Sequence, residues 1–255
     1  ASGAYYNDFW EWDQATDTWS QKANLGGGVR AGAVGFSIGT KGYIGTGSDG
    51  SIFYNDFWEW DGDTASPAYN TWTQKNNFGG TARVGAVSFS IGSKGYIGTG
   101  ANYTPPFVYK DFWEWDTATN VWSQKADVGG MARAAAVGFS IGNKAYIGTG
   151  TDISSAKLSD FWEWDTTTNV WTPKANFGGT ARFKATGFSV GTKGYIGMGH
   201  DGSYKNDFWE WSQSSNTWSQ KADFGGSPGE LAVGFSIGPK GYIGTGTDDV
   251  LFSKD

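Results

Sequence analysis

Short apolar runs separated by polar turns recur along the whole chain, and a single period accounts for them. The small, apolar run "RAGAVGFSI" (30–38) meets Gly39-Thr40 and passes into "KGYIGTG" (41–47). A variable segment follows, then the aromatic run "DFWEWD" (56–61), a polar turn and "TWTQK" (71–75). β-Branched and aromatic residues fill these runs, and Gly, Asn and Asp punctuate them, as strands and hairpins require. Each period therefore predicts four short strands. The first, built of Ala, Gly and Val, suits a crowded innermost position. The tryptophan-rich third suits the wider periphery, where more volume must be filled.

The period is regular. Asp8, Asp56, Asp111, Asp160 and Asp207 open the aromatic runs at spacings of 48, 55, 49 and 47, and all fifteen tryptophans fall three to a copy. Such periodicity means one supersecondary unit whose copies bury their faces on each other, so residues 1–255 read as a single domain of five repeats. The chain opens on third and fourth strands (8–22) and closes on first and second strands (231–246). Together these halves make one blade. The predicted fold is all-β: a five-bladed β-propeller with four antiparallel strands per blade, closed by joining the two ends. Closure would cover strand edges and blade faces that an open array leaves bare. The alternative is an array that stays open or is assembled between chains.

The units resemble kelch repeats: Gly79-Gly80, Arg83, a small-residue strand from Gly85 to Ile91, Tyr96, Gly100, Trp113 and the spaced Trp122. The pattern returns five times in register, and it differs from the usual kelch form in its uniform "FWEW" third strand. The resemblance implies a kelch-type propeller, favours an exported protein, and adds two functional comparisons. In similar kelch adaptors, arginines at this point of the repeat bind acidic peptides. Kelch-fold sugar epimerases handle anionic sugars.

Composition narrows the chemistry. A net charge of −6 argues against duplex nucleic acid or an anionic membrane as partner. The absence of Cys removes disulfides, thiolate metal sites and the cysteine-modified tyrosine of kelch-like copper oxidases. No apolar run is long enough to span a bilayer and no signal peptide is evident, so membrane insertion is not expected and export is not legible in the chain itself. His200 is the sole histidine, which excludes multi-histidine zinc sites. No metal and no cofactor are expected, and a closed ring is expected to be monomeric.

Several motif matches dissolve on inspection. "GTGSDG" (45–50) has no helix after it to hold a phosphate. "DTATN" and its copies read as turn chemistry rather than calcium ligands. Glu11, Glu59, Glu114, Glu163 and Glu210 each lie between two tryptophans, and Lys22, Lys75, Lys125, Lys174 and Lys221 on the adjacent strand are their expected partners.

Function is expected where the copies differ. The connections between second and third strands agree in little, and Arg30, Arg83, Arg133 and Arg182 belong to the same face, with Gly229 at the fifth position. These arginines either line a mouth that takes an anion or cap their own blades by bonding loop carbonyls. Tyr103, Phe107, Tyr109 and Tyr204 are aromatic loop residues fit to stack on a sugar or anchor a peptide. Asymmetry is concentrated in the last two copies at Phe183, Lys184, Met198, His200 and Glu230.

Three classes follow. The leading one is a non-catalytic binding or scaffold module taking a protein segment or glycan, with an anionic group among the candidates. A second is an epimerase-like enzyme using Arg182, Glu230 and His200. A third is a purely structural or consensus repeat with no ligand.

Overall fold

A computed structural model describes residues 5–248. Four of the repeats fold as four antiparallel strands in the predicted order, a strand pair stands before them and another after them, and no helix forms among the described residues. The first pair is β1 (Phe9–Asp13) and β2 (Thr18–Lys22). Blade I holds β3 (Val34–Ile38), β4 (Lys41–Gly45), β5 (Phe57–Asp61) and β6 (Trp72–Lys75). Blade II holds β7 (Val87–Ile91), β8 (Lys94–Gly98), β9 (Phe112–Asp116) and β10 (Val121–Lys125). Blade III holds β11 (Val137–Ile141), β12 (Lys144–Gly148), β13 (Phe161–Asp165) and β14 (Val170–Lys174). Blade IV holds β15 (Thr186–Val190), β16 (Lys193–Gly197), β17 (Phe208–Ser212) and β18 (Thr217–Gln220). The last pair is β19 (Val233–Ile237) and β20 (Lys240–Gly244).

Within each blade the strands pair in sequence order as a meander. The small-residue strands β3, β7, β11, β15 and β19 pack on one another and form the inner layer. Their innermost stretch is shorter than the sequence suggests: in the run at 30–38 only Val34–Ile38 is strand. The residues before it are held by turns with positive φ at Gly32, Gly85, Ala135, Lys184 and Leu231. There the backbone bonds from blade to blade, Ala135 N–H to Gly85 O, Lys184 N–H to Ala135 O and Leu231 N–H to Lys184 O. Those donors are used between blades and so are lost to the sheet.

Aromatic side chains join the blades. Trp115 of blade II lies against Tyr43 and Phe57 of blade I, with ring centroids 4.9 and 5.0 Å away. Trp164 repeats this on Tyr96 and Phe112, and Trp211 on Tyr146 and Phe161. All three tryptophans are fully buried. A second set, Trp122, Trp171 and Trp218, presses edge-on against the same phenylalanines at 5.1–5.2 Å. Closer to the axis the blades approach through glycine: a Cβ on Gly95 would stand 2.2 Å from the Phe36 ring, and one on Gly194 2.4 Å from Phe139.

The ends depart from expectation. The halves at 8–22 and 231–246 form separate two-stranded sheets, so among the described residues there are four complete blades and two half-blades, and β1 and β20 are not paired. Trp10, Trp12 and Trp19 on the first pair are consequently exposed, as are Val233, Phe235 and Ile237 on the last.

Burial separates the tryptophans into classes with different energetic weight. Trp164→Ala is expected to cost about 3–5 kcal/mol in denaturant unfolding, as for a large side chain removed from a core. Trp19→Ala, at an exposed site, should cost under about 0.5 kcal/mol. Equal losses at the two sites would contradict the interface assignment.

Candidate functional site

The arginines of the loop face are built into the blades. Arg83 Nη1 and Nη2 donate to the two Asp111 carboxylate oxygens at 2.5 and 2.8 Å. Nη1 also donates to Thr99 O and Nε to Thr81 O, both at 2.8 Å. Arg30 with Asp56, Arg133 with Asp160 and Arg182 with Asp207 repeat the bidentate pair. The second oxygen of each aspartate accepts the indole N–H two residues on, from Trp58, Trp113, Trp162 or Trp209. All four guanidiniums are buried, so this is the capping arrangement extended by a carboxylate clamp. Tyr109 belongs to the same unit: it is buried beneath the Arg83 guanidinium, 4.2 Å from its ring centroid, and is a platform rather than a loop contact.

The clamp closes the connection that carries the variable loops by tying the start of one blade to the start of its third strand. Sequence reasoning placed the arginines on the right face but missed their partner. The signal was present, because every Arg is followed 25–28 residues on by the Asp that opens the next aromatic run. Asp8, which no arginine precedes in this sequence, bonds only Trp10 Nε1 among the described residues.

The glutamate pairs form as expected. Lys22, Lys75, Lys125, Lys174 and Lys221 lie 2.8–3.3 Å from Glu11, Glu59, Glu114, Glu163 and Glu210. The unforeseen third member is the strand-two tyrosine, whose hydroxyl donates to the same carboxylate in Tyr43–Glu59, Tyr96–Glu114, Tyr146–Glu163 and Tyr195–Glu210. Burial, reinforced by that carboxylate, pushes the Tyr195 phenol up to about 12 and the other three higher. Recurrence in every complete blade makes this a structural device. The turn aspartates also behave as read, with Asp116 Oδ1 accepting from the Ala118 and Thr119 amides.

Two places on the loop face break the repeat. Near the first blades, Tyr103 is 83 % exposed and meets Phe53 edge-on at 4.8 Å. Ile52 is exposed beside Phe53, and Tyr5 crosses over Gly50, where a Cβ would come within 2.6 Å of its hydroxyl. Tyr6 and Phe107 are also exposed. Near the last blades, the His200 ring lies between Phe183 and Tyr204, at 5.6 and 5.0 Å. Lys184 Nζ lies 2.5 Å from Glu230 Oε1 and 5.3 Å from the Phe183 centroid. The bridges Phe183–His200 and His200–Tyr204 hold this cluster to the backbone.

The three groups considered for proton transfer have other partners. Arg182 is taken by Asp207, Glu230 by Lys184, and His200 Nδ1 accepts the Gly202 amide. No group of three or more potential metal ligands occurs among the described residues. Asn102 is buried, with its amide donating to Ala82 O.

Comparison with known proteins places the fold. No family profile matches the sequence, and no curated protein does. Among solved structures, the chain superposes on one titled "Structure of YjhT", a kelch-type propeller protein, with a TM-score of 0.84. The two share 18% identity over 98% of this chain and 87% of that one. At this identity the likeness is one of fold.

The clamps predict acid sensitivity. Burial opposes ionisation of Asp160 and Asp207, but Arg133 and Arg182 outweigh it and hold both carboxyls below the usual range. Their folded-state pKa values are depressed, so the stability they contribute is complete above about pH 4, the unfolded value, and is lost as pH falls through the folded one. Thermal unfolding monitored across pH 2–6, roughly that window, should show the melting temperature falling below about pH 4. Asp160→Asn should flatten the fall. Arg133→Ala should cost about 1–3 kcal/mol, because it leaves the half-buried Asp160 carboxylate without its charge-assisted hydrogen bonds.

Proposed function

We propose that the protein is a non-catalytic binding module whose variable-loop face takes a protein segment or a glycan. The observation that carries this reading is the pair of exposed Tyr103 and half-buried Phe53, with exposed Ile52 beside Phe53 and exposed Tyr5 over Gly50. Large apolar side chains gathered on an otherwise polar loop face are the mark of an interaction site. Tyrosine supplies broad contact area with few rotatable bonds and a hydroxyl that bonds without a fixed partner. The scaffold beneath is rigid, because clamps and interblade tryptophans hold the base of every loop. The Phe183–His200–Tyr204 cluster offers a second contact on the same face.

The arginines take no part in this reading, since their donors are spent on Asp and carbonyl oxygens. A preference for anionic ligands therefore has no support from them. A role as a propeller-based scaffold is compatible with the same face.

A glycan array and a peptide array, each including acidic members, test the proposal directly. The wild type should bind members of one array. Tyr103→Ala combined with Phe53→Ala should weaken that binding at least about tenfold, the scale of losing one aromatic anchor of about 1.4 kcal/mol or more. The melting temperature should stay within a few degrees. Silence of the wild type on both arrays would overturn the proposal in favour of a ligand-free structural repeat.

A further inference from the structure

Blade II departs from the other copies around one cleft on the loop face. Its walls are the loop from β8 to β9 and the connection from β10 to β11. An open volume of about 440 Å³ is lined by Pro106, Val108 and Lys110 of the first wall and Gly130, Met131 and Ala132 of the second. Two backbone bonds tie the walls together, Val128 N–H to Lys110 O at 2.8 Å and Arg133 N–H to Tyr109 O at 3.0 Å. Clamps anchor both walls. Tyr109 lies against the Arg83 guanidinium, and a Cβ on Gly130 would stand 2.5 Å from Asp160 Oδ2. Buried, partnered groups therefore fix the shape of the cleft.

Two of its residues break the repeat. Met131 stands where the other copies have Gly28, Thr81, Thr180 and Ser227, and Lys110 where they have Asn7, Asn55, Ser159 and Asn206. Packing explains neither. In the next copy Thr180 Oγ1 donates to Asp201 and accepts from Arg182, whereas Met131 gives up that hydroxyl and leaves its side chain 55 % exposed. Lys110 is exposed and makes no ion pair or side-chain hydrogen bond among the described residues. Asp111 beside it is neutralised by Arg83. The cleft thus combines apolar walls with one unpaired positive charge, in a protein whose net charge is −6. Phe107, in the same loop, is exposed as well.

We propose that this cleft takes a segment of a partner protein in which a bulky apolar side chain neighbours a carboxylate. The apolar side chain fills the space beside Pro106, Val108 and Met131, and the carboxylate meets the Lys110 ammonium. Methionine is unbranched and polarisable, so it shapes itself to an aliphatic or an aromatic guest. The volume lies within the range, about 300–1,000 Å³, of clefts that bury organic ligands. A sugar carries hydroxyls on every edge, and apolar walls would leave them unpaired. The proposal rests on the reading of the loop face as a binding face and commits that face, at blade II, to a protein segment. Tyr103 belongs to the same loop, so the segment can continue onto the Phe53–Tyr103 pair.

The chain has two methionines, which gives a direct readout by NMR of isotope-labelled methionine methyl groups. Met131 reports the cleft, and buried Met198 is the internal control. A displayed library of random hexapeptides, selected against the wild type, should enrich sequences that set Leu, Ile, Met or Phe beside Asp or Glu. A synthetic peptide of the enriched sequence should shift the Met131 methyl signal and leave that of Met198 in place. Met131→Thr with Lys110→Asn, residues that other copies use, should keep the melting temperature and weaken the peptide at least about tenfold. Added salt should weaken binding to the wild type more than to Lys110→Asn, because an exposed ion pair is screened. Enriched peptides that leave the Met131 signal unmoved, or that lack the acidic residue, would overturn the proposal while the loop face remained a binding face. A library that enriches nothing while the glycan array gives binders would overturn it in favour of a sugar at another part of that face. Silence of both would remove it together with the reading on which it rests.

Discussion

The structure depends on one contact, a tryptophan pressed into an aromatic seat on the preceding blade. Trp115, Trp164 and Trp211 each touch a tyrosine and a phenylalanine of the neighbour and are lost to solvent. Edge-to-face geometry suits the ring quadrupoles and adds to the burial of the largest side chain available. A four-stranded meander of five-residue strands has too little core of its own to stand alone. The stability of the array therefore resides between the blades, as in other repeat proteins.

That placement explains the remaining chemistry. With the wedge between blades apolar, the polar groups of each blade must be satisfied at its ends and edge. The Arg–Asp–Trp clamp serves the loop end, binding a guanidinium, a carboxylate and an indole N–H in one buried unit. The Lys–Glu–Tyr set serves the strand faces, and it lets a carboxylate sit between tryptophans without losing its hydrogen bonds. Loops rooted on such clamps can vary without loosening the blade, which is how Tyr103 and Phe53 come to be presented on a rigid base.

The strand order, the innermost position of the small-residue strands and the Lys–Glu pairs were legible in the sequence, because each is a periodic signal. That Arg83 and Tyr109 are buried and partnered was not legible. An arginine beside a variable loop looks free until the aspartate 28 residues on is folded against it. Tyr109 looked like a loop aromatic because sequence position does not tell which way a side chain turns. Matching half-blades at the two ends were legible, and among the described residues they stand as separate strand pairs, because pairing depends on how the blades stack and a list of strands does not carry that. The Phe53–Tyr103 strip was half visible: Tyr103 could be named, whereas its pairing with Phe53 of the neighbouring blade arises only from stacking the repeats.

The account stands on direct coupling between Phe112 and Trp164 across the blade II–III interface, whose ring centroids are 5.0 Å apart. A double-mutant cycle with leucine at Phe112 and alanine at Trp164, read by denaturant unfolding, measures it. The account predicts a coupling of about 0.5–1.5 kcal/mol for this pair, and additivity within about 0.3–0.5 kcal/mol for Phe57 with Trp211, which lie in non-adjacent interfaces. Additive losses at Phe112 and Trp164 would contradict it.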